Sequence, residues 1–202
     1  MTKNVALVTG GVGGIGSAIS KVLAHDGYRL AANYLVPGSE ARWLQEMREA
    51  GYTECSAWAG DVADFDAMGH MVQEIERELG PIAVLVNCAG ITRDAQLHRM
   101  SKADWDLVIN VNLNSVFNVT RHVVGGMISR NYGRIVNIAS VNAQKGQFGQ
   151  TNYAAAKSGM YGFTKSLAQE VVKHGITVNA ISPGYVGTDL VMGIRADVRE
   201  KI

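Results

Sequence analysis

The sequence predicts one α/β domain built on a doubly wound parallel sheet, and three observations predict it. Short β-rich runs alternate with longer amphipathic segments along all 202 residues. Runs such as Val84-Leu85-Val86 and Ile135-Val136 are continuously apolar rather than alternating, the pattern of strands covered by helices on both faces. The first β-rich run leads directly into a glycine-rich turn and then a helix, as in the dinucleotide-binding folds of the Rossmann type.

The strands are expected at Val5 to Thr9, Arg29 to Tyr34, Glu54 to Ala59, Ala83 to Asn87, Arg134 to Ile138 and Thr177 to Ser182. Between them, helical patterns run over Ile15 to His25, Glu40 to Ala50, Asp64 to Leu79, Ala103 to Arg130 and Tyr153 to Lys173. Ser101 with Asp104 makes a capping box before one of them. Gly27, Gly51, Gly80 with Pro81, and Gly175 stand where helices end in a left-handed residue. With 47% hydrophobic and 18% charged residues and no repeat, low-complexity stretch or linker, residues 1–202 read as a single domain.

Composition also excludes function classes. A formal net charge of +1 supplies no field to draw in nucleic acid or a membrane surface. The apolar start Val5 to Val8 is interrupted at once by Thr9 and glycines, so it reads as neither signal peptide nor spanning helix. Cys55 and Cys88 match no metal or redox spacing and read as small buried groups, which implies a reducing, cytosolic setting.

The turn Thr9-Gly10-Gly11-Val12-Gly13-Gly14-Ile15-Gly16 opens the first helix. Without Cβ atoms the backbone can approach a pyrophosphate, whose charge meets free amides and the positive end of the helix dipole. The alternative is a tight turn with no ligand. An acid about 20 residues on would take the ribose 2′-hydroxyl, yet the second strand ends Ala32-Asn33-Tyr34-Leu35. Its absence permits a 2′-phosphate and so points to NADPH, with Ser39 and Arg42 in place to hold that phosphate, unless Arg42 is simply a solvated helix charge.

Tyr153 and Lys157 lie four apart, on one face of a helix with adjacent side chains. A hydride reduction of a ketone needs a proton for the developing alkoxide. A tyrosine near pKa 10 is a slow donor at neutral pH unless its phenolate is stabilised by roughly 4 kcal/mol. A neighbouring ammonium supplies part of that, and an oxidised nicotinamide ring the rest. Ser140 sits at the C-terminal edge of a strand, where open parallel sheets place ligands, and could donate to a substrate carbonyl. The alternatives are an ordinary surface pair and an ordinary turn serine.

These residues together resemble the short-chain dehydrogenase/reductase family. The matching motifs are Thr9-Gly10 with Gly14-Ile15-Gly16, Asp61-Val62, Asn87-Cys88-Ala89-Gly90, Asn112, Ser140, Tyr153 with Lys157, and Pro183-Gly184 followed by Thr188. The resemblance implies that Tyr153 is the general acid and that Lys157 holds the nicotinamide ribose and lowers the Tyr153 pKa. It also implies that Ser140 orients the carbonyl and that Asn112 joins a proton relay through water. Gly10, Gly14, Ile15, Gly16, Asp61, Val62, Asn87, Gly90, Pro183, Gly184 and Thr188 would border the cofactor.

More particular strings, Gly90 to Asp94, Gln144 to Tyr153 and Ser182 to Tyr185, resemble the branch of the family that reduces acetoacetyl-CoA with NADPH to the (R)-3-hydroxy thioester for polyhydroxybutyrate synthesis. That likeness implies an acyl-CoA site lined by Asp94, Gln147, Phe148, Gln150 and Tyr185. Phe148 and Tyr185 can flank a short acyl chain and the glutamines can bond pantetheine amides; the alternative is a polar loop beside the site. The rival substrate is a 3-oxoacyl group on an acyl carrier protein, for which Arg93, Arg99, Lys102 and Arg130 are scattered rather than clustered. A reading from another class is a non-catalytic NADPH-binding module. Relatives in the family continue past Ile202 through a further helix and strand, so the expected natural protein is longer and a homotetramer, with Gly187 to Ile202 as a substrate-covering segment.

Overall fold

In the computed structural model, residues 4–188 are described. Strands β1 (Val5–Val8), β2 (Arg29–Tyr34), β3 (Cys55–Ala59), β4 (Ile82–Asn87), β5 (Gly133–Ile138) and β6 (Ile176–Ile181) form one sheet in the order β3-β2-β1-β4-β5-β6. Every neighbouring pair is parallel. The strand order reverses between β1 and β4, which marks a crevice at their carboxyl ends. The expected α/β fold of the Rossmann type is the observed one.

Alternate strand residues feed two cores. Leu7, Ala31, Leu85, Ile135 and Val178 face one side, where α3 (Phe65–Leu79), α5 (Ser115–Arg130) and α7 (Thr151–Val171) cover them with Met68, Ile75, Val123, Met127 and Val171. Ala6, Val8, Leu30, Ala32, Val84 and Val86 face the other, under α1 (Gly14–His25) and α2 (Ser39–Glu49) with Trp43 and Met47. This double cover is why β1 and β4 are buried along their whole length and lack an alternating pattern. Among the described residues β6 is an edge, exposing Thr177, Asn179 and Ile181 in alternation.

Helix ends follow the expected chemistry. Asp64 and Ser101 accept the amides of Ala67 and Asp104 as N-caps. Gly27, Gly51, Gly80 and Gly175 all have positive φ. The helix expected from Ala103 to Arg130 is present with one departure: a π turn over Asn110–Asn114 separates α4 (Lys102–Ile109) from α5 within it. The cause is a side chain inserted into the helical ladder. The buried Asn112 amide donates to Val108 O at 2.9 Å and to Ile91 O at 2.9 Å, and accepts from Ile91 N at 3.2 Å. Such bulges concentrate at functional sites.

Candidate active site

The crevice is assembled by polar bonds that cross between strand ends. Thr9, just past β1, accepts the amides of Cys88 and Ala89 with its hydroxyl oxygen at 2.9 and 3.1 Å, closing the switch point. Gly10 has φ +61, and a Cβ there would sit 3.1 Å from Ala89 Cα. A Cβ on Gly16 would lie 2.1 Å from Gly10 O, so α1 can approach the turn only as glycine. Gly14 has φ +45 and lies against Thr188, while Ile15 is half-buried beside it. No side chain caps the start of α1 and no acid stands in its first turn. Twelve residues of helix dipole therefore end on uncapped amides over a floor without side chains, a fit for a dinucleotide pyrophosphate.

Asn33, at the end of β2, is buried and its side chain turns inward. It donates to Gly60 O at 2.9 Å and accepts from Gly10 N at 3.4 Å. It ties the turn to the end of β3, a role the sequence reading missed. Arg42 is exposed on α2 and paired with Glu46 at 3.0 Å, which also takes Lys21. Ser39 donates to Val36 O. Asp61, after β3, is exposed and its carboxylate accepts the amide of Ala63, while Val62 is buried in the core. Asn87 lies under the crevice and donates to Thr120 and to Asn137, which donates to Thr164. Gly90 abuts two expected site residues: a Cβ would meet Asn112 Oδ1 at 2.7 Å and Lys157 Nζ at 3.4 Å.

Helix α7 brings the reactive residues together. Its Ala-rich first turns favour helix, and Lys157, 3% exposed, follows Tyr153 by one turn. The Lys157 ammonium donates to Ile138 O at 2.7 Å and lies 5.8 Å from the centre of the Tyr153 ring. Burial pushes its pKa down to about 8. Tyr153 hydrogen-bonds Ser140, which is buried at the end of β5. Burial raises the Tyr153 pKa and the Ser140 hydroxyl opposes that rise. Both Asn112 amide protons go to backbone carbonyls. The residue holds Ile91, and with it Gly90, against Lys157. Cys88 is a free thiol whose pKa burial pushes up to about 11.

The residues expected to touch substrate divide into two groups. Asp94 and Gln150 bond each other at 2.9 Å, and Gln150 also accepts from Asn142 at 3.0 Å. Phe148 is 80% exposed, and Tyr185 sits under the Lys145 ammonium with Gln147 half-buried nearby in sequence. Pro183 O accepts the amide of Val141, and Gly184 is exposed beside it. The expected covering segment extends from Gly187 to Ile202, most of which lies outside the described residues. Among those residues there is no cluster of metal-ligating side chains and no helix long and apolar enough to cross a membrane. The buried Ser140, Tyr153 and Lys157 at the carboxyl end of a strand, beside a phosphate-sized turn, can protonate an oxyanion next to a bound dinucleotide.

Comparison with known proteins identifies relatives of the whole chain. The chain is 52% identical over its whole length to an acetoacetyl-CoA reductase of Cupriavidus necator and spans 82% of that protein. It is 54% identical over 98% of its length to one from Allochromatium vinosum, spanning 81% of it. A 3-oxoacyl-[acyl-carrier-protein] reductase of Staphylococcus aureus is 41% identical over the whole chain, which spans 82% of it. The model of the family described as short chain dehydrogenase matches residues 4–199, and the chain belongs to that family of nicotinamide-dependent oxidoreductases.

Proposed function

We propose that this protein reduces the 3-keto group of acetoacetyl-CoA to (R)-3-hydroxybutyryl-CoA with NADPH. The observation that carries this reading is the buried Ser140, Tyr153 and Lys157 group within a chain 52% identical to an acetoacetyl-CoA reductase. NADPH, held along Gly10 to Gly16, Asp61, Val62, Asn87, Gly90, Pro183 to Thr188 and the Lys157 ammonium, would supply the hydride. Ser140 donates to the substrate carbonyl and fixes its position. Tyr153 gives its phenolic proton to the alkoxide oxygen as negative charge develops there. Burial leaves Tyr153 above its ordinary pKa, and the Lys157 ammonium one turn away together with the positive charge of the oxidised nicotinamide would lower it. Asn112 and Gly90 keep Lys157 in register with the tyrosine. The preference for NADPH is supported by the absence of a carboxylate from Ala32 to Leu35 at the end of β2.

The coenzyme A thioester is favoured over a carrier-bound one by the higher identity to the acetoacetyl-CoA reductases and by the scatter of basic residues. Asp94, Gln147, Phe148, Gln150 and Tyr185 border the acyl-CoA path. Two free thiols suit a cytosolic setting. Exposed Leu107 and Phe117 on α4 and α5 offer an apolar face for the other subunits of a homotetramer.

The test is NADPH oxidation followed by the absorbance of the reduced nicotinamide with acetoacetyl-CoA, with an acetoacetyl carrier protein, and with NADH replacing NADPH. Turnover only on the carrier thioester would transfer the activity to that substrate, and equal use of NADH would remove the cofactor assignment. Tyr153→Phe is expected to lower kcat by about 10²-fold or more while binding NADPH as before. A wild-type rate in that variant would exclude Tyr153 as the acid.

A further inference from the structure

Three elements meet around Ser140 without touching through apolar contacts alone. Asp94 follows β4, Gln150 is the N-cap residue of α7, and Asn142 opens the short helix α6 (Asn142–Lys145). Gln150 Nε2 donates to Asp94 Oδ2 at 2.9 Å, and Asn142 Nδ2 donates to Gln150 Oε1 at 3.0 Å. The direction of this chain is forced. A carboxylate at neutral pH only accepts, so Gln150 must turn its amide nitrogen toward Asp94 and its oxygen toward Asn142. Asn142 must then turn its nitrogen toward Gln150. Its Oδ1 is left buried with no partner among the described residues, in a residue only 7% exposed.

That unpaired acceptor is a cost that the bond to Gln150 must offset. What the residue does on its other side is chemical: its backbone amide donates to Ser140 Oγ at 3.2 Å. With an N–H occupying the oxygen, the Ser140 proton is left to donate outward. Gln150 is also three residues before Tyr153 and is pinned to the β4 loop, where Ala95 N donates to Gly149 O and Asn152 Nδ2 donates to Arg93 O. The Asn142 to Gln150 bond thus spans the segments that carry the two hydroxyls.

We propose that Asn142 is a positioning residue for the reduction, ending a one-way chain from Asp94 through Gln150 that holds Ser140 as a donor at a fixed separation from Tyr153. Neither Asp94 nor Gln150 needs to leave the acyl-CoA path for this. Their hydrogen bonds to each other set how rigidly the Ser140 segment and the start of α7 face one another. Ser158 of α7 also donates to the Ala143 carbonyl of α6 at 2.9 Å, a bond that does not involve Ser140.

The inference rests on the reductase reading, and the wild-type rate with acetoacetyl-CoA tests that reading by itself. The ratio of variant to wild type tests this one. Asn142→Ala is expected to lower kcat about tenfold, a part of the general-acid contribution, with KM for NADPH unchanged and the variant folded at the assay temperature. In the oxidation of the 3-hydroxy thioester, where Tyr153 is the base, the rising limb of the pH profile moves to higher pH because Ser140 no longer stabilises the phenolate. The same upward shift is expected without substrate, in the absorbance titration of Tyr153 taken as the difference from Tyr153→Phe. The double variant Asn142→Ala with Gln150→Ala is expected to be no slower than the worse single one, since both cut one chain. If Asn142→Ala does not fold, Gln150→Met cuts the chain from its other side. A wild-type kcat and an unmoved Tyr153 titration in whichever variant folds would overturn the proposal. So would a rate loss that only follows a loss of thermal stability.

Discussion

Burial pushes the Lys157 pKa from its ordinary 10.5 to about 8, so the folded state carries its charge at a cost of about 3 kcal/mol at neutral pH. Below pH 8 both folded and unfolded chains hold the proton. Between about pH 8 and 10.5 the unfolded chain keeps a proton that the folded one has released, and stability rises with pH through that window. The two cysteine thiols, raised to about 11 by burial, act the other way above pH 9. The Lys157 share therefore has to be read as a difference. The urea midpoint of wild type minus that of Lys157→Met should increase from pH 7 to pH 10, and the variant should be inactive at both. A difference that does not change with pH would mean the ammonium is not desolvated. The pair Tyr153 and Lys157 was legible as a candidate from its spacing of four on a helix together with Ser140 and the glycine-rich turn. The destination of the ammonium was not, because Ile138 O is 19 residues away and leaves no local pattern.

At the scale of elements, the turn between β1 and α1 is the most local feature of the molecule and the most completely readable. Its glycines are required by contacts as well as by φ. Gly16→Ala places a methyl group 2.1 Å from Gly10 O, against backbone that cannot rotate away. It is expected to destabilise the fold by about 1–3 kcal/mol and to weaken NADPH binding at least tenfold, measured by nucleotide fluorescence titration. Unaltered binding would mean that the turn does not approach the nucleotide. The π turn at Asn110–Asn114 was not readable in the same way. Ala103 to Arg130 carries a continuous helical pattern, and only the insertion of Asn112 between Val108 and Ile91 breaks the ladder. Asn142 was missed for a related reason: its partners, Gln150 and through it Asp94, come from other elements.

Across the whole molecule, the sheet is crossed below the crevice by a polar line. Thr120 on α5, Asn87 on β4, Asn137 on β5 and Thr164 on α7 are joined in sequence at 3.1, 2.8 and 2.8 Å, all of them buried. The line links the helix after the Asn112 bulge to the helix of Tyr153 and Lys157 through two neighbouring strands. A buried donor stripped of its acceptor costs about 1–3 kcal/mol. Thr164→Val, nearly the same in shape, should therefore lower the urea unfolding free energy by that amount. No change would mean that Asn137 finds another acceptor and that the line is not structural.

The sequence by itself determined the α/β alternation and the parallel sheet, which depend on periodicity within one or two adjacent elements. It also singled out the glycine-rich turn, Ser140, Tyr153 and Lys157 as candidates, through their order and spacing along the chain and the family resemblance these carry. Only the tertiary structure decided that Asn33 and Asn112 serve the backbone, that Arg42 pairs with Glu46, and that Asn142 ends a directed chain beside Ser140. An amide side chain has the same character at every position in a sequence, and its role is set by which carbonyl or carboxylate the fold brings within about 3 Å of it.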